Sequence, residues 1–74
     1  MGVVVTPVLD KLTTREESVL LVYAEGGGLG EAASRLGISE LQARRARDRA
    51  RLKLGACNTT AAVVQLVLAR TARP

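Results

Sequence analysis

The chain predicts an all-α domain of four short helices, and three observations predict it. Two segments open with a capping-box pattern, Thr13-x-x-Glu16 and Ser39-x-x-Gln42, in which two side chains reciprocally satisfy backbone N–H groups left without partners at a helix start. Glycines stand where such helices would stop, at Gly26-Gly27-Gly28, Gly37 and Gly55. Between the second box and Gly55, the residues Ala43, Ala46, Ala50 and Leu54 recur at steps of three and four, which stacks them on one helical face.

Length and composition set the limits. At 74 residues there is room for one small domain with a thin core, so oligomerisation is a natural source of added stability. Hydrophobic residues make up 47% and are almost all Ala, Val and Leu, with Tyr23 the only aromatic; side chains this small suit closely packed helices. The apolar runs Val19–Ala24 and Ala61–Ala69 fall far short of the roughly 18 residues of a membrane span, and Met1–Pro7 lacks the pattern of a secretory signal. The single Cys57 has no internal disulfide partner, which suits a reducing cytoplasm. With no histidine and no clustered ligands, neither a metal centre nor a nucleophile with its base can be assembled, so no cofactor and no enzymatic activity are expected.

In chain order, residues 1–11 form an arm in which Val3, Val4 and Val5 favour extended structure and Pro7 interrupts any regular element. It reads as a flexible leader or as a short strand that pairs with a partner. The first helix, near residues 14–25, is capped by Thr13, with Leu12 placed as a staple and Glu16 and Glu17 at the positive end of the dipole. Its inward stripe is Val19, Leu20, Tyr23 and Ala24, with Leu21 outside it. The glycine run that follows is no phosphate-cradling loop, since no Gly-Lys-Ser/Thr follows it and no strand precedes it.

A second helix, near 29–36, turns Ala32, Ala33 and Leu36 inward. Only Gly37 and Ile38 then precede the Ser39 cap, the short glycine-containing connection of a helix-turn-helix. The third helix spans about 40–54. The fourth, near 59–70, starts from an Asn58 or Thr59 cap and turns Ala62, Val63, Leu66 and Ala69 inward. Val64, Val67 and Leu68 lie around another side, and a helix apolar on most sides calls for a second partner.

The third helix carries the charge. Between Glu40 and Lys53, six basic residues (Arg44, Arg45, Arg47, Arg49, Arg51, Lys53) face two acidic ones (Glu40, Asp48), a net of +4 that equals the charge of the whole chain. Such concentration is the electrostatic footprint of a polyanion binder, although an arginine-rich face is also an ordinary solvated surface. Leu41, Arg44, Arg45, Asp48, Arg49 and Leu52 fall opposite the alanine face, with Arg51 and Lys53 on the flanks. Arg47 lies toward the apolar side and must snorkel or pair there.

Within a domain expected at 12–70 and followed by a short tail at 71–74, the segment from Leu12 to about Leu68 resembles the LuxR-type (GerE) helix-turn-helix domain of bacterial transcription regulators. The matching residues are Leu12-Thr13-x-Arg15-Glu16, Val19-Leu20, Ala24-Glu25-Gly26, Glu31-x-Ala33-x-x-Leu36-Gly37-Ile38-Ser39, Lys53-Leu54-Gly55 and Ala62-Val63. The departures concentrate in the third helix. Gln42-Ala43 stands where the family usually has Thr-Val, Ala46 where it often has His, and Ala50 and Arg51 where bulky aliphatics are usual; Ala32 replaces a usual Ile.

The resemblance implies a homodimer that binds double-stranded DNA sequence-specifically and regulates transcription. Its third helix would enter the major groove, about 12 Å wide. Leu41, Arg44, Arg45, Asp48 and Arg49 are the base-facing candidates; Ser39, Gln42, Arg51 and Lys53 are the phosphate candidates. Asp48 could accept from cytosine N4 or restrain an arginine one turn earlier. Val64, Val67 and Leu68 are the dimer-interface candidates. The receiver or ligand-binding module that family members commonly carry has no room in residues 1–11, which leaves a stand-alone domain controlled by its amount or a partner, or a fragment of a larger regulator. A second reading keeps the fold but makes it a protein-interaction module for another regulator or RNA polymerase, with Leu41 and Leu52 as its exposed apolar contacts.

Overall fold

The computed structural model describes residues 11–72, so most of the arm and the last two residues of the tail lie outside it. Four α-helices are formed: α1 (Thr14–Ala24), α2 (Leu29–Leu36), α3 (Glu40–Lys53) and α4 (Thr59–Ala72), and the described residues contain no strand. None of these helices is long and apolar enough to cross a membrane.

Both capping boxes form. Thr13 accepts from the Glu16 N–H at 3.1 Å while the Glu16 carboxylate accepts from the Thr13 N–H at 3.0 Å. Ser39 and Gln42 make the same reciprocal pair, both bonds at 3.0 Å. At α4 the cap is Asn58, whose Oδ1 accepts from the Ala61 N–H at 2.8 Å. The helix runs on to Ala72, past its expected end, with the Thr71 hydroxyl bonded to the Val67 carbonyl. At the other ends, Gly37 and Gly55 adopt φ values of +68° and +67°. That left-handed turn lets Ile38 N–H reach Ala33 O and Ala56 N–H reach Arg51 O, both at 3.0 Å, which satisfies carbonyls the helices leave open.

The core is divided in two, and α1 and α3 belong to both halves. Val19 and Val22 of α1, Ala32 and Ala33 of α2, and Ala43 and Ala46 of α3 form one cluster, with Tyr23, Leu29, Leu36 and Ile38 packed at its margin. Leu12, Leu20, Ala50, Leu54, Ala56, Ala62, Leu66 and Ala69 form the other. The first half of α3 is therefore held by α2 and its second half by α4, with α1 behind both.

Two expectations change and a third widens. Ala24, assigned inward, is exposed, whereas Val22 is buried. The chain reversal explains this, because Gly27 N–H bonds back to Val22 O at 2.9 Å and brings Gly27 against the valine side chain. Leu12, expected to staple onto α1, packs in a cluster that joins Leu20 of α1 to α4 and to the end of α3. Leu21, expected outside the stripe, is partly buried against that same cluster. Around the turn, Arg35 bridges Glu25 and Glu31, both at 2.6 Å, and ties α2 to the end of α1.

Candidate nucleic-acid interface

Burial divides α3 cleanly. Ala43, Ala46 and Ala50 are buried and face α1, α2 and α4. Leu41, Gln42, Arg44, Arg45, Arg49, Leu52 and Lys53 are exposed, with Arg47, Asp48 and Arg51 at the margins. Alanine has no side chain beyond Cβ, so the backbone of α3 lies close to its neighbours and Leu41, Arg44, Arg45, Arg49 and Leu52 stand on its outer side.

The six cations of α3 then separate by partner. Arg47, on the margin as its position demanded, donates to the Tyr23 hydroxyl at 3.2 Å and to Asp48 at 3.2 Å. The tyrosine bond above all, with Asp48 adding to it, raises the pKa of the guanidinium against the opposing effect of burial. Arg51 donates to the Ala56 carbonyl at 3.0 Å and so braces the turn after α3. Lys53 donates to Glu16 at 2.7 Å, across 37 residues of sequence. Among the described residues, Arg44, Arg45 and Arg49 make no ion pair or side-chain hydrogen bond. Three exposed guanidiniums remain for an outside partner.

No family model, curated protein or solved structure matches this chain. What the site can do rests on its own geometry.

Of the base-facing candidates, the structure brings Leu41, Arg44, Arg45 and Arg49 to one exposed side of α3, with Asp48 half-exposed beside them. Asp48 pairs with its immediate neighbour Arg47 and not with an arginine one turn earlier, one of the two roles open to it. The phosphate candidates each make a bond within the protein. Ser39 and Gln42 bond each other in the capping box, and Arg51 and Lys53 bond the protein. Each keeps a donor beyond the bond it makes: further N–H groups on Arg51 and Lys53, the amide nitrogen of Gln42 and the hydroxyl hydrogen of Ser39.

Glu16, expected only as a helix-cap residue, also anchors the far end of α3. It is 3% exposed, and one carboxylate oxygen accepts from both Thr13 N–H and Lys53 Nζ. Burial alone would raise its pKa. The Lys53 ammonium, the Thr13 N–H and the nearby Arg49 charge outweigh that and hold the carboxyl below its ordinary value. A signal was present: Glu16 precedes Val19 and Leu20 by three and four residues, which puts it on the inward stripe of α1. The dimer candidates Val64, Val67 and Leu68 are 50%, 41% and 63% exposed on α4.

Proposed function

We propose that the chain is a LuxR-type helix-turn-helix domain that binds double-stranded DNA sequence-specifically as a homodimer and regulates bacterial transcription. The observation that carries this reading is the asymmetry of α3, whose alanines are buried while Arg44, Arg45 and Arg49 stand exposed without an intramolecular partner among the described residues. In this reading α2, the Gly37–Ser39 turn and α3 form the helix-turn-helix, and α3 lies in the major groove. Arginine suits guanine there, since its planar fork donates to O6 and N7 together. The half-exposed Asp48 can accept from cytosine N4. Arg51 and Lys53 serve by holding α3 in place. The unpaired apolar residues of α4, Val64, Val67 and Leu68, join two copies so that two half-sites are read at once.

Titration of labelled random-sequence duplex at two salt concentrations tests the reading. Affinity should fall steeply as salt rises, because each phosphate contact releases condensed counterions. A folded protein that binds no duplex at low salt would overturn it. The second reading would then take its place, with Leu41 and Leu52, 51% and 67% exposed, as the apolar contacts for another regulator or RNA polymerase.

A further inference from the structure

Leu41 is out of keeping with its surroundings on α3. It sits in the first turn, is 51% exposed, and packs in neither hydrophobic cluster. Residues three and four apart share a helix face, so Leu41 lies beside Arg44 and Arg45, both exposed. A leucine side chain has no hydrogen-bonding atom and can tell bases apart only by apolar surface. The major groove offers one such group, the C5-methyl of thymine.

We propose that Leu41 is a specificity-determining residue that reads the C5-methyl group of a thymine, an inference that rests on the DNA-binding reading above. The two arginines restrict where that thymine stands. They follow Leu41 by about 4.5–6 Å along the helix, at roughly 1.5 Å per residue, and stacked base pairs are about 3.4 Å apart. Because the three side chains are adjacent on the helix, the thymine lies within a few base pairs of a guanine read by Arg44 or Arg45. Leu52, the other exposed leucine of α3, stands about 16 Å farther along the helix and takes no part in this contact.

The full chain is first used to select a preferred site from a pool of randomised duplexes. Each thymine of that site is then replaced singly by deoxyuridine, which removes the methyl and leaves the base pair intact. Wild-type affinity should fall about three- to fivefold at one thymine per half-site, the effect of one buried methyl group. Leu41→Ala and Leu41→Gln should bind the thymine and deoxyuridine duplexes equally at that position. Both replace an exposed side chain, and their circular dichroism should match the wild type. Full tolerance of deoxyuridine by the wild type, or full methyl dependence in both variants, overturns the proposal while DNA binding stands. Recovery of no preferred sequence overturns both.

Discussion

Glu16 and Lys53 show at the residue scale how a charge can support a site without belonging to it. Glu16→Gln keeps an acceptor for the Thr13 N–H but removes the charge that holds Lys53. Urea unfolding at pH 7 should show a loss of about 1.5–3 kcal/mol, the range for a hydrogen bond to a charged group. Because the Glu16 carboxyl is held below its ordinary value of 4.5, the stabilisation is complete above that value and disappears as pH falls through the lower, folded one. Wild type and variant should therefore converge in acid; a gap of constant size from pH 7 to pH 3 would refute the ion pair's role. The outward arginines should behave in the opposite way. Arg44→Ala and Arg45→Ala should leave the urea midpoint unchanged yet cost about 1–3 kcal/mol of discrimination against wrong bases. Lys53→Ala should lower the midpoint, since it leaves a buried carboxylate without its cation, and should weaken specific binding less. Anisotropy on a selected site and on single-base variants separates the two classes.

At the scale of the element, α3 is positioned by how little its inner face contains. Ala46 is 1% exposed and packs with Ala32, Ala33 and Val22, so a larger side chain can enter only by pushing α3 off α2. Ala46→Leu should cost about 1–3 kcal/mol through overpacking, measurable as a lowered melting temperature, and should weaken DNA binding even when the protein is folded. The turn before α2 is equally close. A Cβ at Gly27 would fall 2.7 Å from both Val22 Cγ1 and Glu31 Oε1. Glu31 can swing aside, but Val22 is buried, so Gly27→Ala should also be destabilising. An unchanged melting temperature for that variant would mean the turn can open at no cost.

For the whole molecule the open matter is α4. Its inward residues Ala62, Leu66 and Ala69 close one half of the core, and Val64, Val67 and Leu68 remain exposed on the other side. A second copy would cover them and add a second reading helix, with avidity set by the fixed half-site spacing. Leu68→Glu places an unpaired charge in that interface while leaving Leu66 in the core untouched. Affinity for a palindromic site should fall more than affinity for a half-site. Sedimentation at equal concentrations should show a dimer for the wild type and a monomer for the variant; a wild type monomeric both at high concentration and on DNA rejects the interface.

Helix starts and stops were legible in the sequence because they are local. Thr13 with Glu16, Ser39 with Gln42, Gly37 and Gly55 each act within a few residues, and all shape helix ends as expected. The alanine face of α3 was legible for a related reason: helical periodicity orders side chains around an axis whatever the axis packs against. Periodicity does not say which neighbour covers a face. Val22 is buried because α2, α3 and the Gly27 turn come together over it, while Ala24 is left exposed. The separation of the α3 cations depended on tertiary structure in the same way. Periodicity put Arg44, Arg45 and Arg49 opposite the alanine face, Arg51 and Lys53 on the flanks and Arg47 toward the apolar side, but it named no partners: Lys53 meets Glu16 across 37 residues and Arg47 meets Tyr23 across 24. A contact at that separation forms only when the helices have packed, so helical periodicity set the charges around α3 and the packed fold decided which of them are held by a partner.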